Sequence, residues 1–151
     1  MRAHLTLPLL ALLLLSSASC TKESAVSPDF EEYASKSGGD ECVNGLGRLA
    51  NGAQYGFAAG HRNGGPRIHI RYQDHKAHIN LMGGLPISVT DLGGGRWSFA
   101  GTCRIGGVDG YTFEALVTDG GAHDDFEITV SNGYNASEDV TGGYIDVGCQ
   151  N

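Results

Sequence analysis

Residues 96–119 read RWSFAGTCRIGGVDGYTFEALVTD, and this stretch decides the fold. Apolar or small side chains occupy alternate positions in two runs, from Trp97 to Ile105 and from Tyr111 to Val117. Successive side chains of a β-strand point to opposite faces, so each run presents one continuous face. If the five residues between the runs form the turn, Ile105 faces Tyr111 and both apolar faces lie on the same side of a hairpin. The stretch therefore predicts an antiparallel hairpin with one side in the core, including Trp97.

A second hairpin is predicted over residues 68–81. Its apolar face carries Ile70 and Tyr72, and its other face is polar. A turn at His75 and Lys76 would pair Tyr72 with Ile79, but His-Lys is not a preferred two-residue turn, so a longer turn beginning at Asp74 is the alternative. The same alternation recurs in shorter runs at 42–49, 53–59, 87–89, 126–130 and 145–149, whereas residues 131–143 are predicted to be a polar loop or an irregular edge strand. Because helical periodicity is absent, we predict an all-β fold: a single antiparallel β-sandwich or barrel-like domain built from hairpins.

The first 19 residues are predicted to be a signal peptide. A positively charged start precedes an apolar run over residues 5–15, which is too short to cross a membrane. Cys20 follows small residues as in the bacterial lipobox, where the cysteine is lipidated, although Ser17 stands where an aliphatic residue is usual. We therefore predict an exported protein: a cell-envelope lipoprotein anchored at Cys20 or, if the leader is simply cleaved near Ala18, a secreted protein.

Composition separates the chain into a tether and a domain. Residues 20–40 are rich in Ser, Glu, Lys and Gly, with too little apolar surface to offset the entropy of ordering, and are predicted to be a flexible tether. Residues 41–151 are predicted to be the β domain. The net charge of −7 argues against nucleic acid as a partner. The predicted partners are the membrane, through the N-terminal lipid anchor, and a protein or glycan ligand that the sequence does not identify.

Several short motifs occur in order along the domain: GAQYGF at 52–57, YQDH at 72–75, GVDGYTF at 107–113, TDG at 118–120, DFEI at 125–128 and GGYI at 142–145. With these motifs, residues 53–147 resemble small secreted bacterial β domains of the post-COAP type. The resemblance implies an extracellular β module without an established activity.

Three cysteines lie in the predicted domain, and disulfides persist in exported proteins. Cys42 and Cys149 lie at its two ends, so a disulfide between them would fix both terminal strands. The chain-entropy estimate for such a long loop is roughly 3–5 kcal/mol. We predict this pair, with Cys103–Cys149 and Cys42–Cys103 as the alternatives.

Histidines are concentrated around the second hairpin, which raises the question of a metal site. His69, His75 and His78, with Asp74, are the candidate ligands, because zinc and copper bind converging imidazoles and a carboxylate. The predicted register separates His69 from His78 by about 10 Å or more, which favours solvated histidines. We therefore expect no resident cofactor, and a metal-binding protein or metal-assisted enzyme is the alternative hypothesis.

The sequence also lacks a recognisable catalytic motif. It has no glycine-rich phosphate loop, no nucleophile elbow and no HExxH pair. No catalytic residue is therefore predicted, and the favoured interpretation is a structural or binding module, not an enzyme.

Overall fold

The computed structural model describes residues 41–148, which form eight antiparallel strands closed into a barrel. Each strand pairs with the next one along the chain, and β8 pairs with β1, so the described sheet has no open edge. The strands are β1 Glu41–Leu49, β2 Gln54–Arg62, β3 Gly65–Asp74, β4 Ile79–Gly93, β5 Arg96–Ile105, β6 Val108–Thr118, β7 Asp125–Val130 and β8 Asn135–Val147. The all-β antiparallel prediction is confirmed, and the architecture is the barrel. The predicted signal peptide, Cys20, the tether of residues 20–40 and Cys149 lie outside the described residues.

Aromatic side chains fill the interior of the barrel. The Phe126 ring stacks on Tyr55, with centroids 4.7 Å apart, and on Tyr72, with centroids 5.8 Å apart. Phe57 packs on Phe99 at 5.1 Å. Eight strands enclose a space just wide enough for side chains to fill. These rings therefore form the core, and the predicted inward position of Trp97 is confirmed by its burial.

The β5–β6 hairpin has the predicted faces but a different register. Ile105 pairs with Val108, and Cys103 pairs with Tyr111, where the sequence pattern had predicted that Ile105 pairs with Tyr111. Gly106 and Gly107 both have positive φ, 56° and 86°, as a two-residue hairpin turn requires. The turn is therefore tighter than predicted, and the shift of two residues leaves every side chain on its predicted face.

The β3–β4 hairpin has the longer of its two predicted turns, so its register is shifted by two residues from the one that a His75–Lys76 turn would give. Asp74 pairs with Ile79, and Tyr72 pairs with Leu81 instead of Ile79. Oδ1 of Asp74 accepts hydrogen bonds from the backbone N–H groups of Lys76 and Ala77, at 2.9 and 3.1 Å. The carboxylate thus holds the turn in shape, as Asp does in Asx-turns.

Strand β4 is long and irregular. Its pairing with β5 shifts between Gly83 and Pro86 and again between Pro86 and Ser88. Bulges of this kind bend a strand and re-aim its side chains. Val89 is buried in the core, whereas Ile87 is exposed, although simple alternation would place both on one face.

Strand β8 begins at Asn135, within the residues 131–143 that were predicted to be a polar loop or an irregular edge, and it is paired along its length. Residues 135–139 pair with β7, and residues 140–147 pair with β1, so the strand changes partner midway. Asp124 supports this change of partner, because its backbone carbonyl accepts from Val140 N–H and its Oδ2 accepts from Ile145 N–H, both at 2.9 Å. Few apolar residues lie in the first half of the strand, which is why its sequence resembles a loop.

The described cysteines lie on opposite faces of the barrel wall. Cys103 faces the core and is a free, buried thiol. Neither alternative pairing that uses Cys103 is therefore present. The predicted partner of Cys42, Cys149, lies outside the described residues.

Candidate binding surface

Two clefts lie on the outer surface of the sheet formed by β4, β5, β6 and β7. The first has a volume of about 480 Å³ and the second about 320 Å³. Thr112 lines both clefts, Gly84 lines the first and Ile87 lines the second. The segment of β4 that contains Leu85 therefore borders both clefts. We call this region, Gly84–Leu85–Pro86–Ile87 with the two clefts, the β4 surface.

Two aliphatic side chains project from the β4 surface. Leu85 is 74% exposed, and Ile87 is 57% exposed. Single exposed apolar residues are common, whereas apolar side chains grouped on one surface are a feature of interaction sites. Sequence alternation could not reveal this pair, because the bulges at Pro86 decide which side chains leave the core.

The backbone of β4 is held in place by its neighbour β5. The Thr102 hydroxyl oxygen accepts from the Leu85 N–H at 2.7 Å. A Cβ at Gly84 would lie 2.6 Å from that same hydroxyl oxygen, and one at Gly101 would lie 2.8 Å from the Leu85 carbonyl. Glycine at both positions therefore lets the two strands approach closely where β4 bulges, which presents Leu85 outward.

The first cleft also offers hydrogen-bond donors. The Arg104 guanidinium donates to the Met82 sulfur at 3.5 Å, and a thioether is a weak acceptor. Its other N–H groups remain able to bind a carboxylate or carbonyl oxygen. Thr102 and Thr112 add hydroxyl groups to the same cleft. The β4 surface thus combines aliphatic contacts with polar ones, which suits binding more than bond-breaking chemistry.

A polar network closes one end of the barrel. The Tyr134 hydroxyl donates to Oδ2 of Asp74 at 2.9 Å, and it lies 2.6 Å from the Tyr72 hydroxyl. Burial raises the pKa of both tyrosines. Burial alone would also raise the pKa of Asp74, but the hydrogen bonds from Ala77, Tyr134 and Lys76 outweigh it and lower that pKa. The network therefore favours the charged form of a buried carboxylate.

The predicted metal ligands are not brought together. His75 and His78 lie exposed in the β3–β4 turn, and His69 lies on the outer face of β3, paired with Ala58. Both carboxylate oxygens of Asp74 already accept hydrogen bonds. Within residues 41–148, no group of three or more His, Cys, Asp or Glu residues is placed to hold a metal ion.

The comparisons with known proteins add no relatives. No protein-family model, curated protein or solved structure gave a significant match to the chain. In addition, no helix among the described residues is long and apolar enough to span a membrane.

Proposed function

We propose that the protein is an exported envelope lipoprotein whose barrel binds a protein partner through the β4 surface. The observation that carries this proposal is the pair of exposed aliphatic side chains, Leu85 and Ile87, between two clefts. Aromatic rings fill the barrel interior, so a ligand would bind on the outer surface of the barrel wall.

The chemistry of the β4 surface favours a protein over a glycan. Sugars are commonly held by stacking on an exposed aromatic ring, but the one tryptophan of the chain, Trp97, is buried. Leu85 and Ile87 instead suit the apolar side chains of a partner. The Arg104 guanidinium, which lines the first cleft, suits a carboxylate or backbone carbonyl. The resemblance to post-COAP domains is consistent with such an extracellular module.

The anchor and the disulfide belong to the same proposal. We propose lipidation at Cys20, from its position after the signal peptide, and a disulfide between Cys42 and Cys149. The Gly148 N–H donates to the Cys42 carbonyl at 2.9 Å, which brings the residue before Cys149 beside Cys42. Cys103 is free, whereas Cys42 is not a free thiol, which supports this pair over the alternatives.

The binding proposal is tested by lysine substitutions on β4. Cells expressing the tagged protein are treated with a cross-linker, and the recovered partners are quantified for the parent, for Leu85→Lys/Ile87→Lys and for Leu92→Lys. Leu92 is a matched control because it is a leucine on the same strand, 51% exposed and outside both clefts. We expect the double variant to lose the partner at least tenfold and the control to retain it. Equal recovery from the double variant would refute the proposal.

The anchoring proposal has its own test. Cys20→Ala removes the acceptor thiol, so we expect the protein to move from the membrane fraction to the soluble envelope fraction or the medium. Cys103→Ala is the control, since its thiol lies inside the barrel. A Cys20→Ala protein that stays in the membrane fraction would contradict lipidation.

A further inference from the structure

Four asparagine–glycine pairs lie in the described part of the chain, and this dipeptide can rearrange without an enzyme. The pairs are Asn44–Gly45, Asn51–Gly52, Asn63–Gly64 and Asn132–Gly133. The backbone nitrogen of the glycine attacks the side-chain amide carbon of the asparagine, and ammonia leaves. Glycine has no side chain that hinders this attack. The four pairs therefore share one reactive sequence, and the fold decides how freely the two reacting groups of each pair can move.

The Asn63–Gly64 pair forms the two-residue turn between β2 and β3. Arg62 pairs with Gly65, and φ is 54° at Asn63 and 76° at Gly64, as a type I′ turn requires. Both turn residues are exposed. Within residues 41–148, the Asn63 side chain and the Gly64 N–H have no hydrogen-bond partner. Both reacting groups of this pair are therefore free to move and open to solvent.

The Asn51–Gly52 pair lies in the turn between β1 and β2, where both reacting groups are held. Oδ1 of Asn51 accepts a hydrogen bond from the Ala53 N–H at 2.8 Å, and the Gly52 N–H donates to the Leu49 carbonyl at 2.9 Å. Asn51 is also half-buried. Attack at this pair must first break two hydrogen bonds.

The Asn132–Gly133 pair, in the turn between β7 and β8, is held in the same way. Oδ1 of Asn132 accepts from the Tyr134 N–H at 3.0 Å, and the Gly133 N–H donates to the Val130 carbonyl at 2.9 Å. Asn132 is exposed, like Asn63. Hydrogen bonding therefore distinguishes these two pairs, and burial does not.

The Asn44–Gly45 pair is fixed by strands on both sides. Asn44 pairs with Ala58 on β2 and with Asp146 on β8, and it is engaged in a further interaction. Closing a ring between the two residues would require this part of the barrel wall to open. Asn63–Gly64 is thus the pair whose reacting groups the fold leaves unrestrained.

We propose that Asn63 is a site at which the folded protein deamidates spontaneously. A bond forms between the Gly64 nitrogen and Cγ of Asn63, and the bond from Cγ to the amide nitrogen breaks. That nitrogen leaves as ammonia, taking up the proton that the Gly64 nitrogen loses, and a five-membered succinimide ring remains. Water then adds to one of the two ring carbonyl carbons and opens the ring. One opening gives aspartate, and the other gives isoaspartate.

Either product changes the β2–β3 turn. A carboxylate replaces a neutral amide next to the exposed Arg62. In isoaspartate the backbone runs through the former side chain and is one methylene longer, so the turn no longer has the geometry of type I′. The reaction therefore alters this turn slowly after folding, with water as its only co-reactant.

Ageing of the purified protein in mildly alkaline buffer tests the proposal. Peptide-resolved mass spectrometry gives the deamidation rates at Asn51, Asn63 and Asn132 in one sample. We expect Asn63 to react at least about tenfold faster than the other two, because two hydrogen bonds must break before attack at each of those. In guanidinium chloride the three rates should agree within about threefold, because unfolding removes all of these hydrogen bonds together.

Two results of this experiment would overturn the proposal. Asn63 could react no faster than Asn132 in the folded protein. Its advantage could also persist undiminished in guanidinium chloride, which would assign the selectivity to the flanking sequence instead of the fold.

Asn63→Gln is the matched variant. Glutamine keeps a neutral amide but must form a six-membered ring, which closes more slowly. The variant should lose most of the acidic species that accumulate on ageing, as measured by isoelectric focusing. The rates at the distant Asn51 and Asn132 should stay within about twofold of the parent. Undiminished accumulation of acidic species in Asn63→Gln would also contradict the proposal.

Discussion

Tyr134 and Asp74 join two turns across one end of the barrel. The Tyr134 hydroxyl, between β7 and β8, donates to Oδ2 of Asp74, at the end of β3, over 2.9 Å. The two residues are 60 positions apart in the sequence. Asp74 also holds its own turn through Lys76 and Ala77, so one carboxylate organises a local turn and a long-range contact.

Tyr134→Phe removes the donor of this contact. Oδ2 of a buried carboxylate then loses its hydrogen bond, and we expect the free energy of unfolding to fall by about 1–3 kcal/mol. Urea unfolding measures the change. Tyr111→Phe is the control, because Tyr111 is also half-buried yet has no hydroxyl contact in the network, and its effect should stay below about 0.5 kcal/mol. Equal effects of the two variants would contradict the assigned role.

The stability that Asp74 contributes should depend on pH in a defined direction. Its pKa in the folded protein lies below the ordinary value of 3.8. The contribution is therefore fully present above that value and is lost as the pH falls from about 3.8 toward the folded pKa. We expect the stability difference between the parent and Asp74→Asn to be constant from pH 7 to about 5 and to shrink below about 4. Urea midpoints across this range test it, and a difference that grows toward acid pH would be inconsistent with a lowered pKa.

Cys103 should be unreactive while the barrel is folded. Burial raises the pKa of its thiol to about 11, and the thiolate is the reactive form. We expect modification by iodoacetamide at neutral pH to be at least a hundredfold slower in the native protein than in denaturant. Peptide mass spectrometry identifies the site. Rapid native labelling of Cys103 would mean that the barrel opens readily.

Two adjacent glycines in β8 should tolerate a methyl group very differently. Gly143 has φ of +108°, and a Cβ there would collide with the Leu46 carbonyl oxygen and the Gly47 Cα. A Cβ at Gly142 would meet nothing within 4 Å. We expect Gly143→Ala to cost more than about 3 kcal/mol and Gly142→Ala to cost less than about 1 kcal/mol. Thermal or urea unfolding gives both values, and similar costs would refute the close approach of β8 to β1.

The sequence predicts which side of each strand faces the core better than it predicts which residues pair. Alternation places Trp97, Phe99 and Cys103 inward, and their burial confirms it. The register predicted for the β5–β6 hairpin, and the one that a His75–Lys76 turn would give in the β3–β4 hairpin, were each wrong by two residues, because Gly106–Gly107 make a tighter turn and Asp74 caps a longer one. A shift of two residues conserves the apolar face, so periodicity cannot detect it.

The candidate binding surface was largely invisible in the sequence. Leu85 and Ile87 look like ordinary core residues of a strand, and the backbone shifts around Pro86 turn them outward. Tyr134 was predicted to lie in a polar loop or an irregular edge, since its partners lie 60 residues or more away in β3. A cluster of glycines next to aliphatic residues, as at Gly83–Gly84, is the local signal that could have indicated a bulge.

The change of partner in β8 has a consequence for how the chain folds. Seven of the eight strand pairs join neighbours in sequence, but β1 pairs with β8 across nearly the whole domain, as in Val43 with Val147. Closing that pair carries the largest loop entropy, so we expect it to be the late, slow step of folding. Until β8 is present, β1 and β7 each expose an unpaired edge that can recruit another chain. The last 14 residues of the described chain therefore cover both edges and reduce aggregation. A chain that ends before Asn135 would leave both edges exposed.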